Sequence, residues 1–212
     1  LQTQLHAALT TITKDMHLLD IGCGIGGPAR YFATEFGCIV TGIDLTPEYI
    51  DTARILTGKV GLSDRVAFDC GDATDLPYDD VSFDMVWALN VTMNIRDRQK
   101  LYSEMWRVLK DGGRVAISEL GQGPRGDPYY PLPWARDASY SFLLPPDEMR
   151  GMLENGGFRI LEWVDEAARR QAAEKYPPPP TPEVDTPLTI EITRGDDYPE
   201  RRANSGRSAK EG

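Results

Sequence analysis

An α/β fold, with a mostly parallel sheet and helices on both of its faces, is predicted by three observations. Strand-like apolar runs and helical patterns alternate five times between His17 and Leu120, at the length of strand–helix–strand units. A glycine-rich stretch, DIGCGIGGPAR (Asp20 to Arg30), joins the first apolar run to a helical one. Acids fall at the carboxyl ends of the predicted strands (Asp20, Asp44, Asp72 and Glu119), where open sheets of this kind bind their ligands.

The elements follow in order. Leu1–Ile12 is weakly helical, with Leu1, Leu5, Ala8, Leu9 and Ile12 on one side. It reads either as a helix on the sheet edge or as the remnant of a lid whose His6 faces a substrate. HLLDIG (His17–Gly22) is a buried strand, and a helix runs from about Gly27 to Phe36 with Pro28 where its missing N–H is not needed. Cys38–Asp44 is the second strand. Thr46 then caps a helix that has Pro47 in its first turn and Ile50, Ala53, Ile55 and Leu56 on an approximate apolar face. Val66–Cys70 and Phe83–Ala88 are the third and fourth strands. Arg98–Leu109 is a helix ending in KDGG, where Gly112 or Gly113 takes a left-handed cap, and Arg114–Leu120 is the fifth strand.

After Glu119 the texture changes. Gly121–Pro146 is rich in Gly, Pro and aromatics and long for a connection, which predicts a cover over the cleft. Tyr129, Tyr130 and Trp134 on it either surround a cationic amine with their ring faces or simply pack the cover. A further helix (PPDEMRGMLENGGF) precedes a strand, Phe158–Val164, and a helical DEAARRQAAEKY. The polyproline-like PPPPTPEVDTP leads to Leu188–Thr193 (LTIEIT), a candidate seventh strand, and the tail after Arg194 is polar and has no expected catalytic role.

Composition narrows the function classes. With 212 residues and 41% hydrophobic content, one sizeable core and a single domain over 1–212 are expected. A net charge of −10 argues against broad nucleic-acid binding. Cys23, Cys38 and Cys70 lack metal-site spacing and fit free thiols in a reducing, cytoplasmic compartment. With His6 and His17 as the only histidines, no metal site is expected. No apolar run reaches the ~20 residues that span a bilayer, so no stable membrane insertion is expected.

The glycine stretch satisfies G-x-G-x-x-G through Gly22, Gly24 and Gly27, and also D-x-G-x-G-x-G from Asp20. A pyrophosphate suits the first pattern, which leaves a nicotinamide-dependent oxidoreductase as the alternative. Asp20 suits a ligand carrying an amine or a cation. Asp44, twenty residues after Gly24, stands where such sheets offer a carboxylate to a ribose diol. Asp72 either accepts from an amine on a heteroaromatic ring or forms a turn.

From Asp20 to Glu119 the chain resembles the class I S-adenosylmethionine-dependent methyltransferases. LDIGCGIGGPARYFA matches their first motif, GIDLTPEYIDTAR the second-strand acid and its helix, GDATDLPYDDVSFDMVWA the adenine-side motif, and LYSEMWRVLKDGGRVAISE the later helix and strand. PPDEMRGMLENGGFRILEWVDEA and ALNVTMNIRDRQKLYSEMWRVLKDGG look like the small-molecule branch, near ubiquinone and glycine/sarcosine or phosphoethanolamine methyltransferases. The resemblance implies a Rossmann-like, mostly parallel seven-stranded sheet and transfer of a methyl group from S-adenosyl-L-methionine, leaving S-adenosyl-L-homocysteine. The acceptor would be a small molecule, with nitrogen slightly ahead of oxygen or carbon. It also leaves a non-catalytic cofactor-binding partner as a reading, and a monomer or homodimer as the state. Residues 1–15 would be the remnant of an N-terminal cap, 121–146 the substrate cover, and 177–212 a Pro-rich and polar C-terminal region. Leu188–Thr193 is either the last strand or part of an insertion before a missing one.

The same resemblance implies the site. Asp20 and the backbone of Gly22, Cys23, Gly24 and Gly26 would hold the methionine part. Asp44 would take the ribose hydroxyls, Leu45 would lie against the adenine, and Asp72 with Ala73 would meet its edge. Asn90 would line the methionine side, and Met93 with Asn94 would face the substrate entrance. Glu119 would be a base or cation-orienting group, or a structural hydrogen-bonding one, and Tyr129 and Trp134 would face the acceptor. Direct transfer needs no covalent intermediate, so Cys23 is not expected to be a nucleophile.

Overall fold

A computed structural model describes residues 2–123, 126–165 and 198–211 of the chain. The first part is a regular alternation: α1 (Gln2–Ala7), β1 (His17–Ile21), α2 (Gly27–Phe36), β2 (Ile39–Asp44), α3 (Pro47–Lys59), β3 (Val66–Cys70), β4 (Phe83–Leu89), α4 (Arg98–Val108) and β5 (Leu109–Ser118). A long connection leads to α5 (Pro146–Asn155), and α6 (Tyr198–Glu211) is the last described element. The sheet order is β3-β2-β1-β4-β5, every neighbouring pair parallel. This is the Rossmann-like α/β arrangement that alternation predicted.

Both faces of the sheet are covered, which is why the strands are apolar runs rather than alternating ones. Leu18, Val40, Met85 and Trp87 pack with Phe32 of α2 and Ile50 and Ala53 of α3. Leu19, Ile21, Ile43 and Val86 pack on the opposite face with Leu101 and Met105 of α4 and Leu153 of α5. Strand order reverses between β1 and β4, so their carboxyl ends diverge and open a crevice.

Three expectations change. Five strands, not seven, form the sheet among the described residues, and Phe158–Val164 is not one of them. Phe158 packs edge-on against Trp106 and, with Ile160, against the core, and Arg150 lies 5.7 Å over the Trp163 ring, while Leu161 is 62% exposed, so the segment is held by side-chain contacts and not by a ladder. The helical run after Glu166, the proline stretch and Leu188–Thr193 lie outside the described residues. Secondly, α4 ends at Val108 and β5 begins at once, because Leu109 already pairs with Phe83. The next pair is Met85 with Arg114, so Lys110–Gly113 bulge outward. Gly112 does take a left-handed φ of 75°, but to make that bulge and not to cap a helix. Gly113 is equally constrained, since a Cβ there would lie 2.8 Å from the Lys110 carbonyl oxygen. Thirdly, α1 is shorter than Leu1–Ile12, with Ala7 and Ile12 buried and Leu9 exposed.

Candidate active site at the carboxyl ends of β1, β2 and β4

Three glycines set the first wall. Gly22, Gly24 and Gly26 all have left-handed φ, at 66°, 54° and 77°. Gly22 and Cys23 both donate N–H to the Ile43 carbonyl, at 2.8 and 3.1 Å, which ties the turn to the end of β2. A Cβ on Gly22 would fall 2.3 Å from a Val91 methyl, and one on Gly26 2.4 Å from the Phe68 ring. The turn is therefore glycine both for its dihedrals and for its close neighbours. Gly26 is the residue before α2, and Pro28 lies in that helix's first turn.

Asp20 sits just before this turn, 2% exposed, with Oδ2 buried and without a hydrogen-bond partner. Burial pushes its carboxyl up to about 8, Asp44 adds to the rise, and the Ala29 backbone N–H pulls the other way. Folded proteins rarely leave a buried carboxylate oxygen unsatisfied. A cationic amine at this point would satisfy it and restore its charge, whereas a pyrophosphate would be repelled. Asp44, at the end of β2, accepts from the Gly24 N–H at 2.9 Å through Oδ2 and from the Thr46 N–H at 3.0 Å through Oδ1. The second-strand acid is thus fixed to the glycine turn, and Thr46, at the expected cap position, makes no side-chain cap bond of its own.

The apolar side of the site is open. Leu45 is 71% exposed beside Asp44, and Ile25 and Tyr49 are exposed too. Gly71 donates to the Asp44 carbonyl at 3.0 Å and so brings Asp72 and Ala73 to the same end of the sheet. Asp72 is exposed and closes a local turn, with Oδ1 accepting from the Thr74 N–H and hydroxyl at 2.8 and 2.9 Å. The turn reading is the one observed, and these bonds use one of the two carboxylate oxygens. Cys23 is buried, and burial followed by Asp20 and Asp44 pushes its thiol up, which keeps it protonated and poorly nucleophilic.

On the acceptor side the structure gives Glu119 the structural one of its expected roles and departs from expectation at Met93 and Tyr129. Glu119 is not free to act as a base: Oε1 accepts from Arg98 Nη1 at 2.9 Å and Oε2 pairs with the Thr92 hydroxyl. Its side chain is 5% exposed and that of Arg98 2%, so the pair is fully enclosed. Met93 is buried in the short 3₁₀ turn Thr92–Asn94, and the Phe142 N–H donates to its carbonyl at 2.7 Å. It does not face an entrance, although neighbouring Asn94 and Asn90 are exposed. Asn90 has a left-handed φ of 55° and donates its N–H to the Ser118 carbonyl at 2.7 Å. Tyr129 carries the Arg207 guanidinium of α6 over its ring at 3.9 Å, so this face already holds a cation. Trp134 does line the groove beyond the crevice, its Nε1 donating to Ser141 Oγ at 3.2 Å.

That groove measures about 2180 Å³ and follows β5 from Arg114 to Leu120, with Leu143, Pro145 and Met149 on its far side. It is larger than the ~300–1,000 Å³ of a typical ligand pocket because it runs along a strand edge that no other strand pairs with among the described residues. His6 lines it with Nδ1 buried and without a hydrogen-bond partner. Ser205 and Ser208 of α6 line it as well, which the polar tail did not foretell. Arg98 is the main residue that sequence reasoning missed. Its partner stands 21 positions away, and no local spacing announces such a pair. Among the described residues, no three His, Cys, Asp or Glu side chains cluster as metal ligands.

Residues 19–117 match the model of a family described as a methyltransferase domain. The chain is 34% identical over 154 residues to the O-methyltransferase resE of Aspergillus sclerotiorum, covering 70% of this chain and 57% of that one. It is 43% identical over 103 residues to the methyltransferase GfsG of Streptomyces halstedii, covering 49% and 37%. The chain thus spans about half the length of these curated relatives, or less. Among solved structures, the [4+2]-cyclase SpnF superposes with a TM-score of 0.71 at 32% identity, covering 82% of this chain and 64% of that one. A phosphoethanolamine N-methyltransferase of Haemonchus contortus, solved with phosphomonomethylethanolamine and S-adenosylhomocysteine, gives 0.70 at 27% identity, covering 82% and 43%.

Proposed function

We propose, for a chain that belongs to the class I S-adenosylmethionine-dependent methyltransferases, that it moves a methyl group from S-adenosyl-L-methionine to a small-molecule acceptor, with an amine nitrogen slightly favoured. The observation that carries this reading is the buried, unpartnered Oδ2 of Asp20 beside a carboxylate, Asp44, that is fixed to the glycine turn. An amino acid group and a ribose diol on one ligand match those two acids.

The donor supplies a methyl on a sulfonium, whose sulfur departs neutral, so the protein must chiefly orient the partners and exclude water. Asp20 holds the donor's ammonium and regains its charge in doing so. Asp44 accepts from the ribose hydroxyls with the lone pairs its backbone bonds leave. Leu45 lies against the adenine, and Asp72 with Ala73 meets its edge. Residues 121–146 cover the acceptor, with Trp134 towards the groove. Because Arg98 neutralises Glu119, the end of β5 offers no free base. A deprotonated amine brings its own lone pair and needs none, which supports nitrogen over a hydroxyl or carbon nucleophile. The relatives include N-methyltransferases, such as ajmaline N-methyltransferase of Rauvolfia serpentina, alongside O- and C-methyltransferases, and are compatible with this preference.

Isothermal titration with S-adenosylmethionine, S-adenosylhomocysteine and NAD tests the donor. Tight NAD binding with no response to the sulfonium would overturn the reading in favour of an oxidoreductase. Likeness to a cyclase means that donor binding alone does not establish transfer. A panel of amines, phenols and quinols with a labelled methyl donor is therefore the second measurement. Donor binding without turnover across the panel would favour a non-catalytic or non-methylating role.

A further inference from the structure

Arg98 is buried, and its guanidinium is used on every side. Nε donates to the Ile95 carbonyl at 3.3 Å. Nη1 donates to Thr92 Oγ1 at 3.1 Å, to the Tyr102 hydroxyl at 3.3 Å and to Glu119 Oε1 at 2.9 Å. Nη2 donates to the Phe142 carbonyl at 3.1 Å. Phe142 is held twice more, by its own N–H on the Met93 carbonyl at 2.7 Å and by the Arg96 guanidinium 4.8 Å over its ring. Three parts of the chain meet here: the end of β5 through Glu119, the Thr92–Asn94 turn, and the 121–146 loop through Phe142. The turn in its other direction touches the glycine wall, because Val91 fills the space beside Gly22.

We propose that Arg98 and Glu119 are a positioning pair that couples the loop over the acceptor groove to the glycine turn of the donor site. Donor binding at the turn then tightens the loop, and the loop's anchorage sets where the acceptor stands. A buried ion pair is a weak source of net stability, because desolvation offsets its attraction. What this one supplies is direction. A planar guanidinium addresses Glu119, Thr92 and Phe142 at fixed angles, and a lysine ammonium cannot reach all three from one position. The coupling rests on the donor reading above, whereas the anchorage of the loop does not.

Amide hydrogen exchange on the full chain tests both, with S-adenosylhomocysteine as the probe ligand and R98K and E119Q as the variants. In the parent protein the ligand is expected to slow exchange at Gly22–Gly26 and also at Phe142. In R98K the amides of β1 and β4 stay slow, while Phe142 exchanges about tenfold faster, the factor that one lost hydrogen bond to a charged group accounts for. The ligand still protects the turn in R98K but no longer protects Phe142. If R98K does not fold, E119Q, which keeps the side chain's size and one acceptor oxygen, carries the same comparison. Unchanged exchange at Phe142 in the variant overturns the anchorage, and so does acceleration spread evenly over the core strands. Protection of the parent's turn without protection of Phe142 overturns the coupling. If the ligand does not protect the parent's turn at all, the donor reading and the coupling fail together, while exchange without ligand still decides the anchorage.

Discussion

Asp20 is a carboxyl whose charge is held back by its surroundings, and this makes it a reporter. Its folded pKa of about 8 lies above the ordinary 3.8. A raised acid stabilises the fold fully below its unfolded pKa, and that contribution is lost as pH rises through the folded value. Urea midpoints of the ligand-free protein should therefore fall between pH 4 and 8, by up to ~1.4 kcal/mol per pH unit from this group. D20N should flatten the dependence. Binding of a cationic amine next to the carboxyl favours its ionised form, so S-adenosylmethionine should release protons at pH 7 in the parent and fewer in D20N. Titration in buffers of different ionisation enthalpy reads this directly. Gly22 makes the second prediction at this scale. G22A meets both a φ of 66° and a Val91 methyl at 2.3 Å, and should cost about 1–3 kcal/mol in urea unfolding. Adding V91A should recover only the part due to the contact, because the dihedral strain remains.

At the scale of elements, α4 and α6 act as fasteners. Arg107 of α4 donates to the carbonyls of Leu76 and Tyr78 at 3.0 and 2.7 Å and pairs with Glu104 and Asp80. R107A leaves those carbonyls without their partner and should lower stability by about 1–3 kcal/mol, as measured by thermal or urea unfolding. Helix α6 reaches the 121–146 loop through Ser208 Oγ on the Tyr129 N–H, Asn204 on the Pro131 carbonyl, and Arg207 on the Tyr129 ring. A chain ended at position 197 should keep its core melting temperature but lose loop protection, seen as faster cleavage between 121 and 146 in limited proteolysis. Equal cleavage rates would show that the helix does not hold the loop. The elements from β1 to β4 were legible because propensity, glycine placement and burial agree there. The end of α4 was not. KDGG looks like a helix stop, yet the pairing of Leu109 with Phe83 starts the strand five residues before the expected Arg114.

For the whole molecule, the sheet gathers the residues proposed for the donor at one end. Asp20, the glycine turn, Asp44 and Asp72 stand at the carboxyl ends of parallel strands, and one ligand that contacts Asp20 and Asp44 would bind the folded chain alone. S-adenosylhomocysteine at a hundred times its Kd should then stabilise the fold by about 2.7 kcal/mol, and NAD should leave the melting curve in place. From sequence alone came the class of fold, the glycine turn and the two acids at the ends of β1 and β2, because each depends on residues adjacent in the chain or at the fixed length of a strand–helix unit. Tertiary structure alone decided the rest. It joined Glu119 to Arg98, buried Met93, gave the Tyr129 ring to Arg207, and left Phe158–Val164 without a strand partner among the described residues. Those outcomes depend on which groups from distant segments share a buried space, and no local pattern encodes that. The wall proposed for the methyl donor is therefore written in the chain order, and the side proposed for the acceptor is set by packing.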